Sequence, residues 1–187
     1  MCLIPMADNS TFDTLCADFE DIAAADLKGT ASKLLGKQYL EQVTDKRSQK
    51  LVRGTTMGAS LRPIISLHVQ ISDAITTMSG TPMPVNVHFL YLAVSPQTYM
   101  SDEALRSIGV EDIVVVGEVM DETKSMRIPL LINGYLVHVL RSPADSHFAH
   151  INILGEDFVY ATRARVYLGG DPPTFAIAFP LTSQYRV

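Results

Sequence analysis

The chain has 187 residues, of which 47% are apolar and 19% charged, and it carries a formal net charge of −5. That length and apolar supply suit a folded globular protein with a sizeable core and exclude a disordered chain. The acidic balance excludes a wholesale nucleic-acid coat, which needs excess Lys and Arg to neutralise phosphates, although a local basic patch stays open.

The first six residues, Met-Cys-Leu-Ile-Pro-Met, lack the basic leader and the apolar length of a secretion signal. No apolar run approaches the ~20 residues that span a bilayer. The two cysteines, Cys2 and Cys16, both lie near the N-terminus, so a disulfide framework is not expected. These features predict a soluble protein of a reducing compartment, either cytoplasmic or carried in a virion.

Residues 11–27 place Phe12, Leu15, Cys16, Phe19, Ile22, Ala23 and Leu27 at helical spacing, with Ser10 or Thr11 as cap. Gly29 offers a break. A second helical pattern follows through Leu34, Leu35, Tyr39, Leu40 and Val43. Acidic side chains dominate the first pattern and lysines the second, so the two helices are expected to complement their dipoles and to pair as a hairpin. Five of the six lysines precede Gly54 and all five histidines follow it, which marks a junction there.

Beyond Gly54 the period changes from 3.6 to 2. Residues 65–72 alternate as a half-buried strand, and 85–94 are apolar on both faces, as in a central or covered strand. Further strands are expected at 111–119, 126–132, 135–141, 147–154, 157–168 and 174–181, with turn signals such as Asn133-Gly134 between them. Residues 101–108 read as one short helix capped by Ser101. The expected fold is therefore α+β. An N-terminal helical arm or hairpin (1–54) precedes a mainly antiparallel β-sandwich or barrel of about eight strands (55–187).

Catalytic motifs are weak. There is no Gly-x-Ser-x-Gly elbow, no phosphate-binding glycine loop and no His-x-His pair. Asp145, His147 and His150 form the best metal-like cluster, since two imidazoles and a carboxylate suit zinc or iron. Residues 147 and 150 point to opposite faces of an extended chain, however, so a shared metal needs a turn. His88 and His138 sit within apolar runs and read as hydrogen-bonded core histidines. No cofactor motif is present.

Lys46, Arg47, Lys50 and Arg53 place four cations within eight residues. They form a candidate contact for nucleic acid, an anionic membrane or an acidic partner, against the simpler reading of a solvated helix end. Arg163 and Arg165, two apart on an expected strand, share a face on which they can grip a carboxylate or phosphate. Residues 85–94 and 174–181 hold no charged side chain, which suits coverage by another subunit. The sequence thus points to a non-enzymatic, self-associating structural protein of the virion-component type (matrix, capsid or connector), with other structural proteins as partners. The alternative is a small-ligand-binding or metal-dependent enzyme using Asp145, His147 and His150.

Overall fold

The computed structural model describes residues 22–44, 47–72, 83–110, 127–170 and 174–180. The expected strand at 111–119, most of the first expected helix and Lys46 lie outside them. One helical segment, α1, combines α-helical Ala24–Asp26, a π-helical turn Leu27–Ala31 and α-helical Ser32–Leu35. Nine strands follow: β1 (Leu51–Met57), β2 (Arg62–Ile71), β3 (Val85–Tyr91), β4 (Tyr99–Met100), β5 (Ile128–Ile132), β6 (Tyr135–Arg141), β7 (Ile153–Leu154), β8 (Arg165–Gly169) and β9 (Thr174–Ala178). Two short helices, α2 (Asp102–Ser107) and α3 (Glu156–Thr162), complete the described elements.

Six strands close a ring in the order β2-β3-β7-β4-β6-β5, and β5 pairs back onto β2. The barrel is mixed, because β3–β7 and β4–β6 run parallel and the remaining pairs antiparallel. Register fixes which side chains fill it. Ile65, Leu67 and Val69 on β2 face Phe89, Val87 and Val85 on β3, while Leu130 on β5 faces both Ile71 and Val137. All are buried, as expected when a six-stranded barrel is narrow enough for side chains to fill. No helix among the described residues is long and apolar enough to cross a membrane.

The remaining three strands form a flap. β1 pairs with β9 over Leu51–Gly54 and with β2 over Thr55–Met57, and β8 adds to the far side of β9. β1 thus leaves the barrel at Gly54 and carries β9 and β8 outward. The compositional junction at Gly54 falls inside a strand, at its corner.

Two expectations about the fold are corrected. The expected helical arm or hairpin with a mainly antiparallel sandwich or barrel gives way to a closed, mixed six-stranded barrel with a three-stranded flap and, among the described residues, one short helical segment ahead of them. The helix runs through Gly29 and stops at Gly36, whose φ of 62° is the left-handed geometry of a helix C-terminus. Of the second helical pattern only Leu34 and Leu35 are helical, at the end of α1; beyond Gly36, tertiary edge pairing takes the backbone of residues 40–43. Leu40 N donates to Asn86 O at 2.8 Å, Asn86 N to Glu41 O at 2.9 Å and Val43 N to Pro84 O at 2.7 Å. Residues 40–43 thereby occupy the half of the β3 edge that β7 leaves open. Lys28 on α1 makes a surface ion pair with Glu103 on α2, at 2.6 Å; the expected pairing of two N-terminal helices involves residues largely outside the described ones.

The second correction concerns residues 147–154 and 157–168. The first is a run of turns that becomes strand only at Ile153, and the second is α3 followed by β8. Asp157 explains the helix start: its carboxylate accepts from Thr98 N at 3.0 Å and Thr98 Oγ1 at 2.6 Å, fixing the first turn. Phe158 and Thr162 then face inward. The helix at 101–108 does form, with Ser101 Oγ accepting from Ala104 N at 3.3 Å.

Candidate functional site

Asp145, His147 and His150 all lie exposed in the turns that precede β7. Among the described residues no group of three His, Cys, Asp or Glu side chains is gathered closely enough to hold a metal ion. The turn that a shared metal would require is present, but it does not converge these three side chains. The histidines within apolar runs also separate: His88 is fully buried, whereas His138 points outward from β6 and is exposed.

His88 belongs to a buried polar network beneath α1. Its Nε2 lies 3.1 Å from Ser32 Oγ, which donates to Leu27 O at 3.1 Å and accepts from Tyr39 N at 3.0 Å. The π-helical turn makes this reach possible, since Ser32 and Leu27 are five residues apart and share one helix face. Asn152 closes the other side. Its Oδ1 accepts from Ser101 N at 2.9 Å and Ser101 Oγ at 3.1 Å, and its Nδ2 donates to Tyr39 OH at 2.9 Å and His88 O at 3.0 Å. Burial lowers the His88 pKa to about 4, with a smaller opposing effect from a Lys37 backbone group. Burial likewise raises the Tyr39 pKa, an effect that its bond from Asn152 partly offsets. This buried network fastens α1 and the 37–43 segment to the barrel.

The exposed chemistry lies on the flap. β1, β9 and β8 register so that Arg53, Ala176 and Tyr167 form one cross-strand row and Leu51, Ala178 and Arg165 the next. Side chains directly opposite one another share a face, so these six occupy the outer side of the sheet. The inner side carries Val52, Phe175 and Ile177, which are buried; Phe175 stacks on Tyr91 of the barrel at 5.7 Å. Strand geometry therefore separates the basic segment that the sequence groups together. Arg47 and Lys50 are exposed just before β1, while Arg53 alone of the described members enters the strand and joins the outer face.

Arg165 joins the same face from β8. Its expected partner Arg163 does not, because Arg163 terminates α3 in left-handed geometry with a φ of 53°. The pairing of Arg165 with Arg53 across β9 was hidden in the sequence: 112 positions separate them, and only register brings them together. Tyr167 was missed as well, although its two-residue spacing from Arg165 is a strand signal.

β8 ends the sheet order, so its outer edge has no neighbour among the described residues. Val166 packs against the core, while Tyr167 on the outer face is 52% and Leu168 on the inner face 58% exposed. Comparisons with protein-family models, with characterised proteins and with solved structures find no match to this chain.

Proposed function

We propose that this protein is a non-enzymatic structural subunit that assembles with copies of itself by pairing β8 edge to edge. The observation that carries this reading is the outer edge of β8, which has no neighbouring strand among the described residues. Soluble proteins usually blunt such an edge with charge, proline or a covering loop, since unpaired N–H and C=O groups template another strand. β8 instead presents Val166, Tyr167 and Leu168 in succession.

An antiparallel pairing centred on Tyr167 suits a two-fold dimer, whose interface must be self-complementary. It sets Tyr167 against Tyr167 of the second copy, Val166 against Leu168, and Arg165 against Gly169. No like charges meet directly in that register. The flap then continues as a six-stranded sheet across the dimer axis.

Leu168→Lys tests it. The side chain is exposed in the single chain, so the substitution leaves the fold intact, but it puts a charge on the edge where an apolar contact forms twice per dimer. Losing about half of a Leu burial at two sites is worth about 2 kcal/mol, on the order of thirtyfold in dissociation constant. Size-exclusion chromatography with light scattering should show a dimer or larger assembly for the wild type. The variant should elute as a monomer with an unchanged far-ultraviolet circular dichroism spectrum. A wild type that stays strictly monomeric at high concentration would sink the proposal.

A further inference from the structure

We infer that the outer face of β1, β9 and β8 binds single-stranded nucleic acid, with Arg53 and Arg165 taking phosphates and Tyr167 stacking a base over the Ala176–Ala178 floor. This goes beyond self-assembly and does not require it, because every component belongs to one chain.

Four observations carry the inference. The chain as a whole is acidic, yet the six outer positions hold two arginines and no carboxylate. Among the described residues, neither Arg53 nor Arg165 forms an ion pair. The arginines stand diagonally across β9, two strands and two residues apart, which by strand geometry separates their Cα atoms by about 12 Å. A single strand crossing the sheet between them reaches both guanidinium groups. Lastly, in the two rows that hold the arginines β9 contributes only the methyls of Ala176 and Ala178, with Thr174 further along the same face, which leaves a shallow floor beside the half-exposed Tyr167 ring.

Charge alone would equally attract an acidic peptide. The aromatic ring and the flat, small-residue floor favour a nucleic acid, because every base presents a π-face for stacking and every nucleotide a phosphate for arginine. Duplex fits poorly, since its bases are already stacked and the sheet offers no element to enter a groove. If β8 pairs across a two-fold axis, the two tyrosines adjoin and the platform doubles, with Arg53 of each copy at the two ends of one row.

The test is fluorescence anisotropy of a labelled oligouridylate of about 12 nucleotides, a length within the usual range of single-strand sites. Saturable binding is expected at low ionic strength, weakening as salt rises. Arg53→Ala and Arg165→Ala should each flatten the slope of log affinity against log salt by about 0.7. Tyr167→Ala should weaken binding about tenfold or more, with Tyr167→Phe within about twofold of wild type. Leu168→Lys, on the opposite face, should retain binding as a monomer. That result supports the platform even if the wild type never assembles, so the two proposals fail separately. Loss of binding in a folded Leu168→Lys monomer would overturn the inference. So would an oligoglutamate of matching charge that competes as well as the oligouridylate, or a folded Tyr167→Ala that binds like the wild type.

Discussion

Gly54 shows how one residue places the outer face where it is. β1 trades its β9 partner for β2 between Gly54 and Thr55, and at this corner the chain crosses close to neighbouring backbone. A Cβ added at Gly54 would lie 2.3 Å from Ile64 O and 2.6 Å from Phe175 Cδ1. Ile64 O is a backbone atom of a barrel strand, so it cannot swing aside as a flexible side chain would. Gly54→Ala should therefore destabilise the fold by about 1–3 kcal/mol, the usual cost of overpacking. It should also disturb Arg53, its immediate neighbour on the outer face. Gly29 provides the contrast, since a Cβ there meets nothing within 4 Å and the residue lies in a helical segment. Gly29→Ala should be neutral or stabilising by up to about 1 kcal/mol. Urea denaturation midpoints measure both; a Gly54→Ala midpoint equal to the wild type would refute the corner role.

At the scale of elements, α1 is held over the β2–β3 face by a contact that depends on pH. His88 is neutral in the folded chain down to about pH 4, whereas in the unfolded chain it takes up its proton near pH 6.5. A depressed folded pKa means that the unfolded state binds the extra proton first. This group therefore leaves stability untouched above about pH 6.5 and removes it as pH falls toward 4. The slope is about 1.4 kcal/mol per pH unit, or roughly 3 kcal/mol across the window. The cause is burial: the ring is enclosed beneath α1 with Nε2 on Ser32, which disfavours its charged form more than the Lys37 backbone group favours it. Stability measured from pH 7 to 4 should show this loss in the wild type, and His88→Gln should flatten it while starting lower. An identical acid limb in both proteins would remove His88 from the account.

The same elements show what the sequence could and could not reveal. Strands whose signal was a clean alternation or an uninterrupted apolar run, 65–72, 85–94, 126–132 and 135–141, appear as β2, β3, β5 and β6, because burial on register-defined faces generates that pattern. The Ser101-capped helix was equally legible, since capping is a local interaction. Residues 40–43 misled because their backbone is claimed by the β3 edge, a contact made with residues more than forty positions away. Residues 157–163 misled because Asp157 is anchored by Thr98, which no local pattern reports. The outer face was legible one residue at a time: Arg53 and Arg165 each stood out, but each was assigned to a neighbour in sequence. Their union across β9 is a product of topology.

For the whole molecule, ring closure changes the assembly question. A closed barrel leaves none of its six strands with an open side along its full length, so among the described residues the terminal sheet edge is that of β8 in the flap. If β8 is where copies meet, folding and association are linked by mass action, and stability must depend on protein concentration. Each tenfold rise in concentration adds about 1.4 kcal/mol per dimer. Two chains of 187 residues have an unfolding entropy that converts this into a Tm increase of about 2 °C per decade of concentration. Calorimetry over two decades should resolve a rise of that size in the wild type and a flat line for Leu168→Lys. Addition of oligouridylate should raise the Tm of both proteins, since ligand binding to the native state needs only one intact flap. A wild-type Tm independent of concentration, with the oligouridylate response intact, would leave the flap as a binding face and remove it as an assembly edge.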